Sequence, residues 1–241
     1  MRADIHVVLS HTSHPGNIGA VARAMKTMAL SSLSLVRPKF FPHADATARA
    51  SGADDILARA KVYDDIDAAL AGCHLVLGAS ARSRSIPCPV IGPRECARLA
   101  CRESGSGRVA ILFGCEQSGL SNSEIDRCHR LVQIPANPDY SSLNLAAAVQ
   151  IICYEIFLAD SGSVGDDGAD TRQAVPADEM ERFYAHLEQT LTQLGFLDPA
   201  NPRQLMRRLR RLYNRARPDE NEVNILRGML TAAQESIKQQ R

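Results

Sequence analysis

Short apolar runs alternate along the chain with longer segments whose apolar residues recur at helical spacing. Ile5–Leu9 is an apolar run that ends in a polar loop, Ser10–His14. From Pro15 to Leu30, the residues Ile18, Val21, Ala22, Met25, Met28 and Ala29 share one helical face. Leu33–Val36 reads as a second strand, stopped by Pro38. Ala46–Leu57 and Ile66–Leu70 read as helices, and Leu75–Gly78 as a strand. Ala79–Pro93 reads as a loop holding Arg82, Arg84 and three prolines. Arg94–Arg102 reads as a helix, and Val109–Phe113 and Leu131–Ile134 as strands with a helical turn, Asn122–Cys128, between them. Leu143–Leu158 is a strongly apolar helix. Strands alternating with helices predict a mostly parallel α/β sheet.

The pattern changes at Asp160. The stretch Asp160–Thr171 is built from Gly, Asp, Ser and Ala and has little to bury, which predicts a flexible linker. Three helices are predicted after it. Asp178–Leu194 carries Met180, Phe183, Tyr184, Leu187, Leu191 and Leu194 on one face. Pro202–Arg217 sets Leu205, Leu209, Leu212 and Tyr213 on one side and carries six arginines from Arg203 to Arg215. Pro218 precedes the last, Asn221–Lys238. The organisation expected is an α/β domain over residues 1–158, a linker over 159–177 and a helical extension over 178–241. No internal repeat is present.

Composition narrows the function class only slightly. Of 241 residues, 45% are hydrophobic and 23% charged, as in ordinary globular proteins. The net charge of +1 advertises no polyanionic partner, so any basic surface must be local. No stretch approaches a membrane span, and no basic-then-apolar leader opens the chain; a soluble cytoplasmic protein without membrane contact is expected. The seven cysteines (Cys73, Cys88, Cys96, Cys101, Cys115, Cys128 and Cys153) form no C-x-x-C pair and are expected to be reduced. The histidines are scattered, and no metal site is expected.

Candidate chemistry lies in three separated segments rich in Gly, Asn, Ser and Pro, each following an apolar run. They are His14-Pro15-Gly16-Asn17-Ile18-Gly19-Ala20-Val21-Ala22-Arg23, Phe113-Gly114-Cys115-Glu116-Gln117-Ser118-Gly119-Leu120, and Ile134-Pro135 through Ser141-Ser142-Leu143-Asn144-Leu145. A single such loop is common in any α/β protein. A dinucleotide reading of Pro15–Gly19 fails on two counts: the first glycine of G-x-G-x-x-G is missing, and no acidic residue ends the second strand. Arg37-Pro38-Lys39 stands there instead, which favours phosphate or RNA over a ribose hydroxyl.

Taken together and in this order, the three segments resemble the motifs of the SpoU branch of the SPOUT RNA 2′-O-methyltransferases. The match is closest to the TrmJ type, whose members methylate the ribose at position 32 of tRNA. The resemblance is strong over roughly residues 5–158; the C-terminal part matches mainly in length and helical character. It implies a SPOUT fold with a deep trefoil knot, S-adenosylmethionine as cofactor, tRNA as substrate and a homodimer. Carried over, the cofactor residues are Ala79, Ser80, Ala81, Gly114, Ile134, Ser141, Ser142 and Leu143. The catalytic residues implied are Arg23, Asn17, Glu116 and Ser142. Glu116 is expected either to pair with Arg23 or to anchor the substrate loop, and Asn144 to fix loop backbone.

The reaction would bring a ribose 2′-hydroxyl to the methyl carbon of a sulfonium, so the protein must position the hydroxyl and help remove its proton. An arginine is a poor base, so positioning of ribose and phosphate is the expected role of Arg23. Arg82 and Arg84 suit phosphate contacts, as do Arg207 and Arg211 on the arginine-rich helix; a solvated surface is the alternative for all four. Two other functions remain open in the sequence. One is a SpoU-type methyltransferase of rRNA or another tRNA position, and the other is a non-catalytic RNA-binding protein with the same fold.

Overall fold

A computed structural model describes residues 4–80, 88–161 and 175–239. Seven parallel strands form one sheet: β1 (Ile5–Ser10), β2 (Ser32–Val36), β3 (Lys61–Tyr63), β4 (Cys73–Ala79), β5 (Val90–Ile91), β6 (Arg108–Phe113) and β7 (Arg130–Val132), in the spatial order β3-β2-β1-β6-β4-β7-β5. Helices cover both faces, as a parallel sheet requires. Side chains alternate across the sheet. Val109, Ile111 and Phe113 of β6 enter one core and Ala110 and Leu112 the other.

The larger core is closed by α1 (Pro15–Thr27), α5 (Pro93–Ser104) and α7 (Leu145–Ser161), with α2 (Ala44–Ala50) and α3 (Asp54–Arg59) at its edge. Gly19 has a packing role here. A Cβ at Gly19 would lie 2.0 Å from the Ala46 carbonyl oxygen, so only glycine lets α1 and α2 cross this closely. The smaller core holds α4 (Ile66–Leu70) and α6 (Asn122–Ile125).

Two predicted helices differ in their bounds, and two strands were not predicted. The single helix expected over Ala46–Leu57 is two, because Ser51 (φ 46°) and Gly52 (φ 88°) turn the chain through left-handed backbone. β3 and β5 lie inside stretches that carry too few apolar residues to read as strands, and both are sheet edges. The apolar helix α7 begins at Leu145, two residues later than its pattern suggested, and continues to Ser161.

Helices α8 (Ala177–Gln193), α9 (Leu205–Ala216) and α10 (Glu220–Gln239) build a third cluster around Phe183, Tyr184, Leu187 and Val223. The arginines of α9 dock this cluster onto the α/β layer. Beyond its end at Ile125, α6 leaves carbonyls without helical partners. Arg211 donates to the carbonyls of Ile125 (3.3 Å) and Cys128 (3.1 Å), and Asn214 to that of Asp126 (3.0 Å). Arg207 grips the Asp126 carboxylate with two bonds of 2.6 and 3.1 Å. Arg217 pairs with Glu103 at 2.6 Å.

Candidate functional site

The carboxyl ends of β1, β4, β6 and β7 all open on the same edge of the sheet, where ligands of open α/β sheets bind. A cleft of ≈ 820 Å³, counting its open mouth, lies there. Its walls include Ala79, Ser80, Gly114, Ile134, Ser141, Ser142 and Leu143. Those are all the expected cofactor residues except Ala81, which falls outside the described residues, as do Arg82 and Arg84. Phe113, Val132, Leu145 and Ala148 add an apolar wall that the sequence reading did not single out; their positions at strand ends and on the first turns of α7 were the available signal.

The loop after β6 is shaped by its own backbone. The Gly119 amide donates to the Cys115 carbonyl at 2.8 Å, and Gly119 has φ 66°. A Cβ on Gly114 would lie 2.2 Å from the Gly119 carbonyl carbon and 2.3 Å from the Leu120 nitrogen. Gly114 is therefore required for the loop to fold back on itself before any ligand is considered. The capping box of Ser121 and Glu124 then starts α6 and fixes the far end of the loop.

Glu116 ties this loop to the start of α1. Its carboxylate accepts from the Ser13 amide and hydroxyl (both 2.9 Å), the His14 amide (3.3 Å) and the Asn17 side-chain amide (2.9 Å). Asn144 Nδ2 donates in turn to Asn17 Oδ1 at 3.3 Å, and Asn144 Oδ1 accepts the Ala146 amide at the start of α7. One polar network thus joins all three motif segments. Burial works to raise the Glu116 pKa, but the bonds from Asn17 and Ser13 outweigh it and hold it at about 2. Such a carboxylate is an anchor; as a base it is too weak and already engaged.

Arg23 stands apart from this network. It lies on the exposed side of α1, and no described residue bonds to it. The pairing of Arg23 with Glu116 that the sequence left open is absent. Of the four residues expected at the catalytic centre, Glu116 and Ser142 line the cleft, Asn17 bonds to Glu116, and Arg23 lies outside the cleft, bonded to no described residue. Arg207 and Arg211 both turn toward α6 and the smaller core, where Arg207 pairs with Asp126 and Arg211 donates to the Ile125 and Cys128 carbonyls. The exposed arginines of this region are Arg203, Arg208 and Arg215. Among the described residues no His, Cys, Asp and Glu cluster could hold a metal, and no helix is long and apolar enough to cross a membrane.

Comparison with known proteins agrees with this geometry. Residues 4–154 match the SpoU rRNA Methylase family, and residues 178–241 match the C-terminal domain of the tRNA methyltransferase TrmJ. The tRNA (cytidine/uridine/adenosine-2′-O-)-methyltransferase TrmJ of Pseudomonas aeruginosa is 53% identical over 241 residues, covering 95% of this chain and 93% of the relative. The tRNA (cytidine/uridine-2′-O-)-methyltransferase TrmJ of Sodalis glossinidius is 52% identical over 240 residues, covering 99% and 94%. The crystal structure of TrmJ from Z. mobilis superposes with a TM-score of 0.83 at 32% identity, covering 95% of this chain and 98% of that one. The chain belongs to the SpoU methylase family, on its TrmJ branch.

Proposed function

We propose that this protein transfers a methyl group from S-adenosylmethionine to the ribose 2′-hydroxyl of cytidine or uridine at nucleotide 32, in the anticodon loop of tRNA. One observation carries the reading: the Glu116–Asn17–Asn144 network locks the three motif segments around a single cleft. The names of the relatives support 2′-O-methyl transfer to tRNA cytidine and uridine, and nucleotide 32 comes from the resemblance alone. The cleft fits the cofactor. Phe113, Val132, Leu145 and Ala148 offer an apolar surface for a heteroaromatic ring, and backbone groups of the loops at 115–119 and 141–143 offer polar contacts to its edge. When bound, the sulfonium supplies an activated methyl group.

The residues of the chain do the rest. Ser142, exposed at the lip of the cleft, orients the ribose hydroxyl. Arg23, exposed and bonded to no described residue, holds the ribose and its phosphate. Glu116, Asn17 and Asn144 hold the geometry. Outward-facing Arg208 and Arg215, seven residues apart on one face of α9, contact tRNA phosphates. Arg82 and Arg84, which lie outside the described residues, are further candidates for phosphate contacts.

The working unit is a homodimer in the cytoplasm. The apolar helix α7 leaves Tyr154 (47%), Phe157 (41%) and Leu158 (45%) exposed, a surface suited to a second copy. The domains divide at 158 and 178, and residues 159–177 link them. A trefoil knot is consistent with β7 lying between β4 and β5 in the sheet although it follows both in sequence. Mapping methylated riboses on total tRNA from a strain lacking this protein tests the function. Loss of 2′-O-methylation confined to nucleotide 32 supports it, and loss at an rRNA site or another tRNA ribose overturns the site assignment.

A further inference from the structure

The loop between β2 and α2 holds a group of exposed side chains that the reaction does not use. Phe40 is 48% exposed. Its ring meets two exposed polar groups: His43, with centroids 6.2 Å apart and planes at 52°, and the Lys39 ammonium, 5.3 Å from the ring centroid. Arg49, one α2 length further on, is exposed and bonded to no described residue. Its side chain lies along the first turn of α1, where a Cβ at Gly16 would sit 3.5 Å from Arg49 Cγ. The one carboxylate beside the group, Asp45, faces His43 Nδ1 at 3.6 Å and is largely solvated.

The group is anchored to the site. The Lys39 amide donates to the Thr12 carbonyl at 2.9 Å, and the next residue, Ser13, makes two bonds to Glu116. β2 lies two strands from β6 in the sheet, about 10 Å away at the usual spacing. The loop is therefore on the same edge of the sheet as the cleft, on the far side of the first motif.

We propose that Phe40 and His43, with Lys39 and Arg49, receive an unstacked nucleotide flanking the one that is methylated. The inference rests on the proposed function, since it takes the ligand to be single-stranded RNA of an anticodon loop. An exposed aromatic ring beside cations is the surface on which loop bases stack while their phosphates are neutralised. A base arriving on Phe40 displaces the Lys39 ammonium from the ring, and the freed ammonium meets the adjacent phosphate. Arg49 offers a second cation next to the α1 turn that opens the first motif. Stacking on any base face is sequence-tolerant, so this surface adds affinity and register without selecting a base.

The test uses the full-length protein and tRNA carrying 2-aminopurine at a nucleotide flanking position 32. Binding to wild-type protein is expected to change the fluorescence as the base stacks. Phe40→Ala is expected to abolish that change and to raise KM for tRNA about tenfold, as expected for one lost base stack. Phe40→Tyr restores both. Cofactor affinity by calorimetry and kcat at saturating tRNA stay within twofold of wild type in both variants. Lys39→Gln and Arg49→Gln lower the slope of log affinity against log salt by about one each. Wild-type affinity and fluorescence in Phe40→Ala, with unchanged salt slopes in the two glutamine variants, overturns the inference. Failure of the wild-type protein itself to methylate tRNA would instead overturn the proposed function.

Discussion

Replacing Glu116 by Gln keeps the shape of the side chain and removes its charge, which isolates what the carboxylate does. Glu116 receives four donors, two on each oxygen. A glutamine offers one oxygen and presents its NH₂ to the other pair. If the NH₂ faces Ser13, the hydroxyl can rotate but the Ser13 amide loses its acceptor. If it faces Asn17, that side chain must flip, which breaks the bond from Asn144. Either arrangement forfeits at least one charge-assisted bond, worth about 1.5–3 kcal/mol. Linkage gives a second route to the magnitude. A drop from 4.5 to about 2 corresponds to ~3 kcal/mol, and solvent screening at this partly exposed carboxylate reduces that to about 1.5.

The folded-state pKa is depressed, so the stabilisation is complete above about pH 4.5 and is lost as pH falls toward 2. Urea unfolding of wild type and Glu116→Gln at pH 7, 5 and 3.5 should show a gap of about 1.5 kcal/mol at the first two and a smaller gap at the third. The melting temperature should fall by roughly 3–6 °C at pH 7. Methyl transfer should fall by about 10- to 100-fold, because the start of α1 is no longer tied to the loop after β6 that lines the cleft. A gap that is the same at pH 3.5 as at pH 7, or a variant with wild-type stability, would refute the anchoring role.

Arg23→Ala should leave folding and cofactor affinity intact, since the side chain is exposed and bonds to no described residue, while single-turnover transfer falls about 10²-fold; retention of more than half the rate contradicts its assignment. Gly114→Ala alone should weaken cofactor binding in calorimetry by tenfold or more, because even a methyl strikes the backbone of Gly119 and Leu120; unchanged affinity in a folded variant refutes the loop as a cleft wall. Arg207→Ala should lower stability by about 1–3 kcal/mol through the unpaired Asp126, as read by urea unfolding, with the salt dependence of tRNA binding unchanged. Arg208→Gln with Arg215→Gln should do the reverse, reducing the salt slope by about two with stability unchanged; the opposite pattern would return the phosphate contacts to Arg207.

Much of the fold was legible because period and burial coincide. Ile5–Leu9 and Val109–Phe113 lie at the centre of the sheet, where nearly every residue is buried, and the long apolar helix packs one face against it. Edge strands escaped because pairing, not side-chain burial, defines them: Val62 and Val90 are more than half exposed. The cleft residues were legible through the motifs and not through periodicity. The apolar wall at Phe113 and Leu145 was hidden inside segments that also read as strand and helix core. The neighbours of the α9 arginines were not legible, because sequence gives their spacing but not what faces them. Arg207 and Arg211 point at α6 and the turn after it, whose carbonyls and Asp126 become visible as their partners only in three dimensions. Similarly, Gly114 and Gly19 both signal close approach of backbone, but the chain alone does not say that the neighbours are Gly119 and Ala46.

The central claim is that one cleft delivers a methyl group to one ribose hydroxyl. The direct measurement is single-turnover transfer from radiolabelled S-adenosylmethionine to two synthetic tRNAs that differ at one atom, with a ribose or a 2′-deoxyribose at nucleotide 32. Label is predicted to enter the first tRNA, in a nucleotide resistant to alkaline cleavage on its 3′ side, and not the second. Equal labelling of both tRNAs would contradict the account, as would no labelling of either by a protein that binds the cofactor.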